Sequence, residues 1–221
     1  MYQRTAPRTI HLLAFDDNDE LDVIGPYEIL QTIGKVQESD VPEVNIVSVP
    51  GTTKDRHVVH GIHGLTFGTR PLETGEKPDL LIVAGGGYGT TNPPRGIMVQ
   101  KCNEAFTSVI ASQLDEGRQL VSVCTGAFGL VGADVVKDRT MTTHPVAVPA
   151  LRDAGAKVKN PDTEARVVDD GSIVSCGGVT SGTDETLYLA SAFWSNGSAL
   201  EANLRAYIDY NFHARIWKAR S

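Results

Sequence analysis

The sequence predicts an α/β protein built on a doubly wound, mostly parallel sheet. Three observations predict it: four short aliphatic runs bounded by turn residues, helical patterns lying between them, and a composition of 22 glycines, 41% hydrophobic residues and only 6% aromatics. Short, continuously apolar runs read as strands buried on both faces, and strands alternating with helices are the mark of parallel βαβ units. Aliphatic strands with few aromatics suit that packing.

The strand runs are residues 9–15 (TIHLLAF), 44–49 (VNIVSV), 79–84 (DLLIVA) and 119–123 (QLVSV), with helical patterns at about 25–37, 103–115 and 125–136. Residues 57–68 (HVVHGIHGLTFG) alternate around glycines, and residues 165–176 (ARVVDDGSIVSC) carry Asp170-Gly171 between two β-prone runs. Each predicts a local antiparallel hairpin. Ser181 to Asp184 and Ser198 to Glu201 have capping-box spacing, so helices are expected from there to about 196 and about 213. The basic tail with Arg205, His213, Arg215, Lys218 and Arg220 reads as an amphipathic terminal helix. No repeat, low-complexity tract or linker interrupts the 221 residues, so one domain is expected, with a core at about 8–196 and the terminal helix at about 198–213.

Charge and cysteine usage exclude several functions. A formal net charge of -7 lacks the basic stripe that phosphate backbones or anionic headgroups require, so neither nucleic acid nor membrane is an expected partner. The opening MYQRTAPRT is short and polar, and no apolar run approaches the ~18 residues of a membrane span. Three cysteines, Cys102, Cys124 and Cys176, are an odd number without a secretory start, which points to free thiols and a cytoplasmic, reducing setting. Cys102, in a helix start, and Cys176, at the end of a hairpin strand, read as structural.

Chemistry concentrates at LVSVCTGAFGLVGA, where an apolar strand ends directly at Cys124 and a small-residue helix starts at Thr125-Gly126. A thiol at a strand-to-helix turn meets unpaired backbone N–H groups and the positive end of a helix dipole, both of which favour thiolate. Open α/β sheets bind ligands at this carboxyl edge. After the strand DLLIVA, Gly85-Gly86-Gly87-Tyr88-Gly89 lets backbone approach a ligand, and its N–H groups are placed to converge with that of Thr125 on a developing negative charge. No Lys-Ser/Thr follows, which argues against a phosphate loop. The acidic loop from Asp16 to Asp22 is mostly solvated, but Asp22 precedes Val23-Ile24-Gly25-Pro26, where a helix is expected to begin; that apolar setting raises a carboxyl's pKa and suits a general acid or base. Glu28 reads as a residue of that helix's first turn. His60, His63 and His144 read as structural or exposed, and no cluster at metal-ligand spacing is evident.

LDVIGPYEIL, AGGG, SVCTGAFGLVGA, the THP of Thr143 to Pro145, and CGGVTSGTDETL occur in that order. Together they resemble the ThiJ/PfpI superfamily, related to class I glutamine amidotransferases, across roughly residues 8–196. Within it the pattern is similar to the isocyanide (isonitrile) hydratases and to amidotransferase-like domains of certain transcriptional regulators, although RAYIDYNFHARIWKARS departs from the proline-rich hydratase tail. The resemblance implies a flavodoxin-like sandwich, Cys124 as nucleophile at its elbow, Asp22 as the acid that contacts it, Thr125 as the polar neighbour, and Gly86 with the Thr125 amide as an oxyanion hole. Gly87, Tyr88, Gly178 and Val179 are expected to line the pocket. PfpI-type proteases have histidine after the cysteine; Thr125 stands there instead.

The implied activity is a cofactor-free and metal-free carbon–nitrogen lyase that hydrates an isocyanide to an N-formamide through a covalent thioimidate, in a homodimer. Two alternatives are a glyoxalase or deglycase attacking α-oxoaldehydes, and a redox- or ligand-sensing member without turnover. The regulators carry an added helix-turn-helix domain for which this sequence has no room.

Overall fold

A computed structural model describes residues 5–89, 92–115 and 118–219, which leaves Arg220 of the basic tail outside the described residues. In chain order the elements are β1 (Thr9–Leu13), α1 (Glu20–Val36), β2 (Glu43–Ser48), β3 (Val58–His60), β4 (Thr66–Gly68), β5 (Arg70–Pro71) and β6 (Leu80–Val83). There follow α2 (Ile97–Gln100), α3 (Glu104–Asp115), β7 (Gln119–Ser122), a single tight turn of helix at Cys124–Gly126, α4 (Ala127–Gly132), β8 (Thr140–Met141), α5 (Val148–Asp153) and β9 (Lys157–Val158). The chain closes with β10 (Val167–Asp169), β11 (Ile173–Cys176), α6 (Ser181–Phe193), α7 (Gly197–Tyr207) and β12 (Ile216–Lys218).

Eight strands form one sheet in the order β12-β10-β11-β7-β6-β1-β2-β5. Every neighbouring pair is parallel except β10 with β11, which close the hairpin at Asp170-Gly171. The second expected hairpin is present as β3 against β4. The four predicted central strands are β1, β2, β6 and β7, so the fold class is as the sequence predicts.

Alternate residues of these strands feed two cores. Ile10, Leu12, Leu80, Ile82 and Val121 pack with Ile29 and Ile33 of α1 and Leu187 of α6. Leu13, Leu81, Val83 and Leu120 pack with Phe106 and Ile110 of α3 and Leu130 of α4. A period of two along a strand sends successive side chains to opposite faces, so both faces are dry and helix-covered. Among the described residues no helix is long and apolar enough to cross a membrane.

Four expectations about boundaries are corrected. Helix α1 begins at Glu20, not at Gly25-Pro26, because Asp19 caps it by accepting from the Leu21 N–H at 3.2 Å, with Glu20 and Asp22 in the first turn. Pro26 therefore lies inside the helix, at the loss of one backbone hydrogen bond, and Glu28 is an exposed mid-helix residue. The helix after Cys124 stops at Gly132 rather than 136, because Asp134 adopts φ 57. Neither capping box forms. In α6 the cap is Thr180 without a side-chain bond, and Asp184 is drawn instead to Arg166 Nε at 2.6 Å and Tyr210 Oη at 3.2 Å. In α7, Asn196 precedes the first turn and Glu201 pairs with Arg205 at 3.3 Å. These helices end at Phe193 and Tyr207.

The tail is the fourth correction: residues 216–218 form β12 beside β10, with the Ala219 N–H donating to Asp169 O at 2.9 Å. An exposed strand edge offers a full ladder of hydrogen bonds, whereas the tail's scattered charges set no helical stripe.

Phe106 is fully buried and meets Phe15 edge-on with ring centroids 5.5 Å apart, directly beneath Gly129 of α4. Phe106→Ala should lower folding stability by about 3 to 5 kcal/mol, seen as a lower urea midpoint at unchanged slope.

Candidate active site

The turn at Cys124 fixes the site. Cys124 has φ 57, the left-handed region that disfavours an L side chain. Val123 N–H donates to Val83 O at 3.0 Å, and Gly126 N–H donates back to Val123 O at 2.8 Å, which folds the turn tightly over the end of β6. A Cβ on Gly126 would overlap the Val83 carbonyl, and one on Gly85 would come within 2.6 Å of the Thr125 amide, so both positions require glycine. The Cys124 carbonyl accepts from Thr143 Oγ1 at 2.8 Å.

Asp22 reaches this turn from the first turn of α1 and is completely buried. Gly85 N–H donates to Asp22 Oδ2 at 2.9 Å. Its Oδ1 is buried without a well-formed hydrogen bond, while the adjacent Cys124 thiol acts on the carboxyl as a donor. Burial first, and then the charge of Asp19, push the Asp22 pKa well above the usual carboxylate range; the Gly85 and Cys124 hydrogen bonds offset only part of the rise. Desolvation thus favours the protonated form of Asp22.

Cys124 departs from the expectation of a turn that favours thiolate. It is 5% exposed, and burial followed by the charge of Asp22 pushes its pKa up, against hydrogen bonds from the Val179 and Thr125 amides and the Thr125 hydroxyl. The dipole argument fails because the helix that follows has only six residues and the thiol is desolvated. Desolvation favours the neutral form of both groups.

The glycine loop contacts the Asp22–Cys124 pair through Gly85 and Thr125. Gly86 N–H, read from the sequence as an oxyanion donor, here donates to Thr125 Oγ1 at 3.0 Å, while the Thr125 amide faces the Cys124 sulfur. Gly86 has φ 117 and a Cβ there would overlap the Asp19 amide, so the loop presses on the cap of α1. Val179, with φ 32, brings its amide to the sulfur. Gly178 packs under the His144 ring, where a Cβ would come within 2.5 Å of Cδ2. Gly87 lies against the Arg95 and Gly96 backbone, and Tyr88 turns to Phe128 with ring centroids 4.9 Å apart.

Five residues at the site were not assigned roles from the sequence: Asp19, Thr143, His144, Cys176 and Glu185. His60 is tied to Asp55 at 2.7 Å and His63 to Glu20 at 2.7 Å. The structure brings together Asp19, Glu20 and His63, whose ligand-type atoms lie within 4.8 Å of one another. This corrects the expectation of no such cluster, since His63 arrives from the β3–β4 hairpin; Glu20 is already engaged by the His63 ring and the His63 and Leu65 amides. Cys102 is exposed, just ahead of Asn103, whose Oδ1 accepts from the Ala105 amide at 3.1 Å.

Comparison with known proteins places this arrangement. The family model described as the DJ-1/PfpI family matches residues 8–191. An isonitrile hydratase from Pseudomonas putida is 33% identical over 184 residues, covering 82% of this chain and 70% of its own length. A deglycase from Pyrococcus abyssi is 26% identical over 167 residues, covering 74% of this chain and 86% of its own. The crystal structure of a ThiJ/PfpI family protein from Pseudomonas syringae superposes with a TM-score of 0.73 at 21% identity, over 94% of this chain and 76% of that one.

Because the folded-state pKa of Asp22 lies above its unfolded value, the native state keeps a proton that the unfolded chain releases, and stability falls as pH rises toward the folded value. Asp22→Asn removes this loss. Its melting temperature should exceed that of the parent at pH ~7.5 and converge on it near pH ~4, the gain being about 1.4 kcal/mol per pH unit between the two pKa values. Equal melting temperatures at both pH values would refute the buried-acid assignment.

Proposed function

The chain belongs to the DJ-1/PfpI family, and from that premise we propose that it is a cysteine-dependent hydratase that adds water to an isocyanide to give an N-formamide. The observation that carries the reading is the burial of Asp22 against the Cys124 thiol, an acid and a nucleophile together in a dry site. The 33% identity to an isonitrile hydratase supports it, as does threonine rather than histidine after the cysteine.

An isocyanide carbon accepts both a nucleophile and a proton, so a neutral thiol–acid pair suits it better than a standing thiolate. The Cys124 sulfur bonds to that carbon while Asp22 gives its proton to the same atom and takes the thiol's proton in return, leaving a thioimidate, R–N=CH–S–Cys. Water then adds to the carbon; Asp22 receives its proton and protonates the nitrogen. Collapse of R–NH–CH(OH)–S–Cys returns the hydroxyl proton through Asp22 to sulfur and releases the formamide. The Thr125 hydroxyl and the Val179 and Thr125 amides, gathered on the sulfur, stabilise charge that develops there during attack and expulsion. No step calls for a metal or an organic cofactor. A small-molecule substrate, a homodimer and a cytoplasmic setting belong to the same reading through the family.

A second reading, deglycase or glyoxalase chemistry on α-oxoaldehydes, is favoured by the Pyrococcus relatives and by the His144 ring against Gly178, one residue from the Val179 amide.

Spectrophotometric assay of an aryl isocyanide and of methylglyoxal separates the readings. With the isocyanide, Cys124→Ala should lose at least about 10³-fold in rate and Asp22→Asn at least about 10²-fold. Turnover of methylglyoxal alone selects the second reading, and turnover of neither leaves a sensing protein.

A further inference from the structure

The segment from Gly177 to Thr180 joins β11 to α6 and stands beside the elbow. Val179 packs against the buried cluster that contains Cys124. Gly178 lies under the ring of His144, whose neighbour Thr143 holds the Cys124 carbonyl. Gly182, in the first turn of α6, faces the residue before the nucleophile: a Cβ there would come within 3.0 Å of Val123 Cγ1. Val179 has φ 32, and in a β-branched residue such a backbone persists only where its surroundings leave no alternative. The Ser181 N–H donates to Gly178 O at 2.8 Å and the Gly182 N–H to Val179 O at 3.2 Å. Those bonds shape the turn but do not set where it sits against the elbow.

Arg166, the residue before β10, supplies the fixed point. Its carbonyl accepts from the Gly177 N–H at 3.0 Å, and its Nη2 donates to Thr180 Oγ1 at 2.8 Å, so it holds the segment at both ends. Thr180 makes no capping bond to α6; its hydroxyl turns to Arg166 instead. The Arg166 Nε donates to Asp184 Oδ2 at 2.6 Å. Asp184 is completely buried, and its other oxygen accepts from the Tyr210 hydroxyl at 3.2 Å and the His213 amide at 3.3 Å. A planar guanidinium with both arms committed cannot turn away without leaving a buried carboxylate short of its cation.

We propose that Arg166 is a positioning residue for the wall beside the Cys124 thiol: anchored on Asp184, it holds Thr180 and with it the left-handed Val179 against the elbow. The Asp184 carboxylate aims the guanidinium, and the tail seated on the same carboxylate keeps that aim. Without the arm to Thr180 the segment loosens, the strained residue relaxes, and the packing that covers the thiol opens.

Amide hydrogen exchange of a peptide spanning 177–183 reads the segment itself, and alkylation of Cys124 by iodoacetamide reads its cover, the latter resting on Cys124 as the reacting thiol. Both are followed by mass spectrometry in the Cys102→Ser background, which removes the exposed competing thiol. Thr180→Val deletes the acceptor and leaves the Arg166–Asp184 pair intact. Exchange in the segment and alkylation of Cys124 should each become at least about threefold faster, with β6 and β7 exchanging as in the parent and the melting temperature unchanged. Thr180→Ser keeps the hydroxyl and should restore both rates. Arg166→Lys keeps a cation on Asp184 but lacks the second arm, so it should match Thr180→Val, and combining the two should add nothing further. Parent-like exchange in Thr180→Val, Thr180→Ser as fast as Thr180→Val, an additive double variant, or faster exchange spread over the sheet would overturn the proposal. If Arg166→Lys does not fold, the two Thr180 variants decide, since neither touches Asp184. Failure of Cys124 to react in the parent and in every variant refutes the nucleophile reading instead, and the exchange rates then decide the role of Arg166.

Discussion

The left-handed peptide at Cys124 is the constraint around which the rest of the site is arranged. A parallel strand carries its side chains alternately to the two faces of the sheet, and a thiol continuing β7 would sink into one core or the other. Turning the chain at φ 57 instead lifts the sulfur to the carboxyl edge of the sheet, where it meets the Val179 and Thr125 amides. That conformation costs an L residue on the order of 1 to 2 kcal/mol, and it persists because the neighbours leave no alternative. Gly126 folds under the Val83 carbonyl, Thr143 takes the Cys124 carbonyl, and Gly85 allows the loop after β6 to close against Thr125.

Dryness then decides the chemistry. Amides around the sulfur pull its pKa down and burial pushes it up, and burial wins because only six helical residues follow the turn while the thiol is almost wholly covered. The same desolvation favours the protonated form of Asp22. An ionised thiol would suit attack on a carbonyl in a wet cleft. A neutral pair suits a substrate that must gain sulfur and hydrogen at one carbon, because no net charge has to be brought into the low-dielectric interior.

The sequence makes the sheet legible because strands buried on both faces are written as uninterrupted aliphatic runs, and all four central strands lie where those runs lie. It makes Cys124 and Asp22 legible for the same local reason: one ends a strand and the other breaks an acidic loop with an apolar neighbour. Boundaries were harder to read. Gly25-Pro26 reads locally as a helix start, yet Asp19 captures the Leu21 amide six residues before the glycine and the helix absorbs the proline. Asp184 reads as half of a capping box, yet Arg166 and Tyr210, distant in sequence, claim its carboxylate. The tail shows no sign of a strand because the edge it pairs with, β10, exists only in the folded sheet. Glu185 lies in a helix that is buried on almost every side, from Ser181 through Glu185, Thr186, Leu187, Tyr188 and Leu189 to Phe193, and a carboxyl in such a helix must find a partner or hold a proton.

The packing of α6 on α1 also explains why the acids come from helices and not from loops. Gly25 and Gly182 have no side chains to hold α1 and α6 apart, so the helices approach closely where both pass behind the elbow. One such contact fixes Asp22 and Glu185 together, each on a rigid element whose register is set by core residues on either side. A loop would have to immobilise each carboxyl separately and satisfy its own backbone besides. The two carboxyls share one desolvated region and cannot both ionise near neutral pH without facing each other's charge, so placing them by one helix contact also couples their protons. The placement of both carboxyls therefore has a common origin in two glycines.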